Sequence, residues 1–147
     1  MADHVRKQLR EAVALAVTGL TTTAANVFQS RVYAVREAEL PCLLIYTDSE
    51  SSEDATIDAA TEERSIRVRV EGLAQATASL DDTLDLIAKE VETALSAAIV
   101  IASTTTLLTY TGCEIELRDD LAQPTGSIAL AFEAILFTAG PDVIVGA

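Results

Sequence analysis

Residues 64–71, RSIRVRVE, carry the clearest secondary-structure signal in the chain. Ile66, Val68 and Val70 alternate there with charged residues, and a period of two is typical of a β-strand with one buried face. The aliphatic side chains are therefore predicted to face a core, while Arg67 and Arg69 project from the opposite face of the sheet.

Two strands are predicted before this one. Residues 27–33 alternate in polarity, and residues 42–47, CLLIYT, form the continuous apolar run that is typical of a strand covered on both faces. Residues 48–60 are predicted to be a polar loop. From Asp48 to Glu63 the chain holds seven acidic residues and no basic one, so this segment contributes much of the negative charge.

Two strands are predicted after it, at residues 107–118 and 127–138. In the first, apolar and charged residues alternate: Cys113, Ile115 and Leu117 against Glu114, Glu116 and Arg118. In the second, both faces are apolar: Ile128, Leu130, Phe132 and Leu136 on one, and Ala129, Ala131, Ile135 and Phe137 on the other, interrupted by Glu133. The second of these faces is too apolar for solvent, so it needs either another molecule or a third layer from this chain, such as the tail.

Two amphipathic helices complete the pattern. Residues 3–18 repeat apolar side chains at helical spacing, and a longer apolar stripe runs from Leu80 to Ala98. Ser79 is predicted to cap the second helix, with acidic residues following it at the positive end of the helix dipole. The order α-β-β-β-α-β-β predicts an α+β fold with a mostly antiparallel sheet of about five strands and two helices packed on one face. One domain spans residues 1–147, with 139–147 as an extended tail.

The amino-acid composition argues against enzymatic catalysis and against binding to nucleic acid or an anionic membrane. The chain has 23 acidic and 10 basic residues and a formal net charge of -13, whereas binding to nucleic acid or to an anionic membrane needs clustered Lys and Arg. No phosphate-binding glycine motif occurs, and His4, the only histidine, is expected to be exposed in a frayed first turn. Cys42 and Cys113 are expected to be small buried hydrophobes. We therefore predict no enzyme activity, no cofactor and no metal.

No membrane span is predicted either. Residues 93–113 form the longest uncharged run, but its many threonines and serines favour a helix end, a turn and a strand.

The candidate functional residues are interface residues. Arg67 and Arg69 could pair with carboxylates of a neighbouring subunit, or within the subunit with Glu114, Glu116 or Glu133. The predicted interface with another subunit or a larger assembly comprises Arg67, Arg69, Glu114, Glu116, Ile135 and Phe137. The acidic segment that could contact such a partner or line a channel comprises Asp48, Glu50, Glu53, Asp54 and Asp58.

Several stretches resemble the phage tail terminator proteins, the minor tail protein U family. They are residues 5–10 (VRKQLR), 30–47 (SRVYAVREAELPCLLIYT), the segment from Glu71 through the second helix, and 111–117 (TGCEIEL). The resemblance extends to about Phe137. The sequence departs from the expected pattern at Ala34, where proline would follow Arg-Val-Tyr, and at the apolar residues 99–101, where a polar turn would be expected.

The resemblance implies a structural virion protein of the tail-neck region, assembled in the host cytoplasm. Such subunits form a homo-oligomeric ring, expected to be a hexamer, that caps the tail tube, ends its polymerisation and presents a joining surface to the head-tail connector protein. DNA would pass through the lumen without specific binding. The alternatives are another neck protein, such as a connector or a tail completion protein, and more remotely a small ligand-binding α+β domain.

Overall fold

The alternating stretch at residues 64–71 lies in the central strand of a five-stranded sheet. The computed structural model describes residues 3–30, 35–57, 60–76, 78–102, 104–118 and 125–145. In chain order the elements are α1 (Val5–Val17), β1 (Val27–Gln29), a single 3-10 turn (Glu37–Glu39), β2 (Cys42–Asp54), β3 (Glu62–Gln75), α2 (Leu80–Leu95), β4 (Ile99–Ile101), β5 (Thr104–Thr106), β6 (Leu108–Arg118) and β7 (Thr125–Thr138). Neither of these two helices is long and apolar enough to cross a membrane.

The strands of the main sheet lie in the order β1-β2-β3-β7-β6. All neighbours are antiparallel except β1 and β2, which are parallel over three residue pairs. β3 pairs along its whole length with β7, and the register places Arg67 opposite Glu133. The predicted α+β class, the element order of the main sheet and the mostly antiparallel pairing are confirmed.

Both helices pack on one face of this sheet, as predicted. α2 lies against β3 and β7, while α1 lies against β1, β2 and the small β4–β5 sheet. The apolar stripe of each helix is buried in a common core: Val5, Leu9, Val13, Ala14 and Val17 of α1, and Leu84, Ile87, Ala88, Val91 and Leu95 of α2.

Gly72 lets α2 approach the sheet closely. A Cβ atom built at Gly72 would lie 2.7 Å from Cγ2 of Ile87, a distance that real Cβ contacts essentially never show. Because β3 has no side chain at this point, the helix backbone can settle over the sheet with Ile87 filling the gap.

The unexpected β4–β5 sheet explains the apolar residues 99–101. Ile99 and Ile101 are buried in the core, whereas Val100 is exposed. Three pairs join β4 to β5, so this connection between α2 and β6 is a short hairpin that adds to the core.

The acidic segment after Thr47 is not a loop, so the prediction for residues 48–60 is wrong over its first half. β2 continues through Asp54, and its last pairs with β3 are Glu53 opposite Glu63 and Asp54 opposite Glu62. Backbone hydrogen bonds to β3 hold this polar stretch in a strand, although its side chains give no periodic apolar signal. The predicted strand at 27–33 ends at Gln29, and residues 31–34 lie outside the described part of the chain.

Both helices begin differently from the prediction. His4 is the N-cap of α1, and its Nδ1 accepts a hydrogen bond of 3.1 Å from the backbone N–H of Arg6, so it is not simply exposed. Burial lowers the pKa of His4, and the positive charges of Arg6 and Arg64 lower it further. Ser79 adopts a left-handed conformation (φ +56°) and makes no side-chain cap, but Asp81 and Asp82 lie in the first turn of α2 as predicted.

The chain folds back after β7. Thr138 forms an isolated bridge with Ile144, and the backbone N–H of Val5 donates to the carbonyl of Pro141 at 2.8 Å. Ile144 packs against the core. These residues therefore join the end of β7 to the start of α1.

Candidate interaction surface

The sheet face opposite the helices is concave, and we call it the outer face. Its floor is formed by β3 and β7 and its sides by β2 and β6, enclosing an open depression of about 920 Å³. Small residues such as Ser65, Ala129 and Ala131 alternate on this floor with Arg67 and Arg69. Both described helices pack on the other side, so the described elements leave the outer face open.

The two arginines on the floor are paired within the subunit, but not with the predicted residues. Arg67 lies 3.8 Å from Asp48, and Arg69 donates to Glu71 at 2.6 Å. Glu114 and Glu116 are on β6, which β7 separates from β3, so they cannot be cross-strand neighbours of either arginine.

Arg69 is held more firmly than Arg67. Its guanidinium lies 5.7 Å from the ring centre of Tyr46, and the hydrogen bond that it donates to Glu71 raises the pKa of Arg69. Arg67 is more than half exposed and its ion pair is long. The carboxylate of Glu133, directly opposite Arg67, accepts instead a hydrogen bond from the Ser65 hydroxyl. Arg67 is therefore the floor cation that a second molecule can reach most easily.

The predicted apolar residues of β7 do lie on the outer face. Ala131 is buried, Phe137 is half-buried and Ile135 is about half exposed. Ile135 and Phe137 stand opposite Ser65 and Glu63 of β3, so the apolar part of this face occupies one end of the strand.

Strand β6 exposes apolar side chains that the sequence pattern predicts to be buried. It is an edge strand, and its helix-side residues Tyr110, Ile115 and Leu117 are 42%, 52% and 53% exposed. The expectation that Cys113 is buried is wrong, since it is exposed, whereas Cys42 is buried as expected. α2 packs chiefly on β3 and β7 and covers β6 only in part, so the face that the alternating pattern predicts to be buried stays half exposed at Ile115 and Leu117.

Tyr110 is the first of the exposed helix-side residues along β6. Its ring lies 5.5 Å from that of Phe132, and the sheet register shifts between Tyr110 and Gly112. A hydrogen bond with Cys113, together with burial, raises the pKa of Tyr110 to about 12. The sequence interpretation missed Tyr110, because neither its own position nor its neighbours signal that the strand is an edge.

The acidic segment divides into two parts. Glu53 and Asp54 are exposed on the β2–β3 hairpin, which ends in the fully exposed Ile57. Asp48 lies beside Arg67, and Asp58 lies outside the described residues.

Glu50, in contrast, points to the helix side. It accepts hydrogen bonds from Arg6 of α1 and, at 2.7 Å, from Arg64 of β3. Arg64 also donates to Glu62 at 3.0 Å and to the buried Thr138 hydroxyl at 2.9 Å. Burial by itself raises the pKa of Glu50, but the hydrogen bonds and charges of Arg64 and Arg6 outweigh it, so the pKa lies below its ordinary value. Glu50 thus ties the hairpin to α1 and to the end of β7.

This geometry suits contact between proteins. The surface offers an open sheet face, a long strand edge and exposed apolar side chains next to carboxylates. Among the described residues, no group of three or more His, Cys, Asp or Glu side chains could hold a metal ion.

Comparison with known proteins decides the family. The sequence matches the phage minor tail protein U family over residues 4–136. The chain belongs to this family. It is therefore a structural protein of the phage tail and a component of the virion.

Solved structures share the fold. A chain of the virion of a native gene transfer agent (GTA) particle aligns with 90% of this protein and 90% of its own length, at 20% identity and a TM-score of 0.53. A second structure aligns over 88% of this protein and 92% of its own chain, at 15% identity and a TM-score of 0.50. A search of curated protein sequences finds no significant match.

Proposed function

We propose that this minor tail protein is a ring-forming tail terminator. Copies of the chain assemble into a ring, expected to be a hexamer, at the end of the tail tube, in the neck region of the virion. The ring stops further addition of the tail tube protein and offers its other side to the head-tail connector protein.

The observation that carries this proposal is the family match over almost the whole chain, on a fold whose outer face and β6 edge are open. A subunit that closes a ring needs two different contact surfaces, because each copy meets one neighbour with one surface and the next neighbour with another. The open outer face, with Arg67, Ile135 and Phe137, and the helix side, where Leu86 of α2 is half exposed, lie on opposite sides of the sheet and supply two such surfaces.

The charge of the chain supports passage of DNA through such a ring. With a net charge of -13, the protein repels phosphates and lacks the basic clusters that would retain them. Glu53 and Asp54 are exposed at the hairpin and are the acidic residues best placed to line a lumen, with Asp48 deeper on the outer face. Glu50 is the weakest candidate for that role because its carboxylate is already bound by two arginines.

A tube-capping experiment tests the proposal. Tail tube protein is polymerised with increasing amounts of this chain, and tube lengths and ends are measured by negative-stain electron microscopy. The proposal expects shorter tubes with one ring-shaped density at an end. It also expects that the mass of the complex at the tube end, measured by mass photometry, includes the mass of a closed ring of subunits. The control is the same chain heat-unfolded before addition.

Tubes that grow to the same length, with the protein absent from their ends, would contradict the terminator role. If the protein were found on the connector side alone, away from any tube end, the neck-protein alternative would replace it.

A further inference from the structure

We propose that β6 is a docking edge for an extended strand of another virion protein, and that this partner strand alternates basic and apolar residues. The inference rests on the proposed function only in that a tail protein must bind other virion components. It names a partner chemistry that the ring and tube contacts do not specify.

The backbone of β6 is available for pairing. The strand runs for 11 residues, pairs with β7 on one side, and has no described strand on the other. Edge strands that avoid association are usually short or protected by charged side chains, proline or bulges. β6 is long and has no lysine or proline at residues 108–117, its register shift lies near its start, and its glutamates repel acidic partners but not basic ones. The register shift between Tyr110 and Gly112, where Gly112 has a positive φ of +150°, interrupts only the first part, and the pairing with β7 is continuous from Cys113 to Arg118.

The two faces of β6 specify the side chains of the partner. Glu114 and Glu116 are exposed on the outer-face side, and Ile115 and Leu117 are half exposed on the helix side. A strand added to this edge would place its own alternate residues beside these two rows. Lysine or arginine would match the glutamates, and valine, isoleucine or leucine would extend the apolar row.

Among the described residues, a second copy of this chain does not offer such a strand. The basic residues of β3 lie in a strand that is paired on both sides, and the remaining described ones lie on helices, near the 3-10 turn or on β6 itself. The part of β2 that extends beyond the three pairs with β1 carries Asp48, Glu53 and Asp54, which would meet Glu114 and Glu116 with the same charge. Like charges placed opposite each other destabilise a strand pair, so the partner is a different and more basic protein.

Short peptides test this inference directly. The probe is a capped eight-residue peptide alternating lysine and valine, and the control is the same peptide with glutamate for lysine. Binding is measured by titration of the 15N-labelled full chain at low ionic strength, and amide exchange locates the site. We expect the lysine peptide to bind at least tenfold more tightly than the glutamate peptide and to protect alternate amides of β6.

Three variants sharpen the result. The lysine peptide with N-methyl groups on its pairing amides loses binding if strand addition is the mode. Glu114→Lys with Glu116→Lys should reverse the preference of the protein between the two peptides, and both sites are exposed, so folding is preserved. The matched control, Glu53→Lys with Asp54→Lys, makes the same charge change on the hairpin and should leave the preference as it was.

The inference is overturned by any of four results: no binding, equal binding of the N-methylated peptide, protection confined to another surface, or a homodimer in which copies of β6 pair with each other. Tube capping without peptide binding would contradict this inference and leave the terminator proposal intact. Peptide binding without tube capping would contradict the terminator proposal and leave this inference intact.

Discussion

Neutralising Glu50 should weaken the fold by an amount that depends on pH. The Glu50 and Arg64 side chains are only 14% and 11% exposed, and their hydrogen bond is 2.7 Å long. A hydrogen bond to a charged group at such a site contributes about 1.5–3 kcal/mol. Arg6 is 43% exposed, so its pairing with Glu50 adds no more than about 0.5 kcal/mol.

The expected loss for Glu50→Gln is about 2 kcal/mol at pH 7, near the lower end of that range. Arg64 keeps Glu62 and Thr138 as acceptors, and the glutamine can still accept a neutral hydrogen bond. For a chain of 147 residues this corresponds to a decrease in Tm of about 4–8 °C.

The sign of the pH dependence follows from the lowered pKa of Glu50. Its stabilising effect is fully present above the pKa of glutamate in the unfolded chain, about 4.3, and is lost as the pH falls through the lower pKa of the folded state. The free-energy difference between wild type and Glu50→Gln should therefore be about 2 kcal/mol at pH 7 and should shrink steadily below pH 4.

Urea unfolding followed by circular dichroism, at pH 7, 5 and 3, measures this difference. The matched control is Glu53→Gln on the same strand, which is exposed and stands opposite Glu63, so removing its charge should change stability by less than about 0.5 kcal/mol. Equal stability of wild type and Glu50→Gln at pH 7 would refute the reasoning, as would a difference of the same size at pH 3.

Three further outcomes are expected. Gly72→Ala should destabilise the protein by about 1–3 kcal/mol in urea unfolding, because the new methyl group meets Ile87, and Ile87→Leu should recover part of that loss. A thiol reagent should label Cys113 in the folded protein at once and Cys42 only on unfolding; equally slow labelling of both would contradict the exposed β6. Arg67→Glu should lower occupancy of tube ends in electron micrographs, and unchanged occupancy would remove Arg67 from the interface.

Local sequence patterns predicted the elements whose side chains alternate between core and solvent. The period of two at residues 64–71 indicated β3, and the apolar stripe from Leu80 indicated α2, because burial on one face leaves a regular signature in the chain. The order of these elements and the resemblance to tail terminators then indicated the fold class and the family.

Other features depend on partners that are distant in the chain. The polar residues from Asp48 to Asp54 form a strand because β3 supplies their backbone hydrogen bonds, and Glu50 finds Arg6 only after α1 packs beside the sheet. The candidate surface likewise depends on contacts between distant parts of the chain. The sequence predicted its charged and apolar residues but not which of them lie next to each other.

Local periodicity indicated which residues alternate and where the helices lie, and the resemblance of particular stretches to tail terminators indicated the family. The three-dimensional packing was needed to show that α2 covers β6 only in part, which leaves Ile115 and Leu117 half exposed. It was also needed to show that Arg67 pairs with Asp48 and Arg69 with Glu71. Side-chain alternation states that a strand has two faces, whereas which elements cover each face is set by the packing of the whole chain.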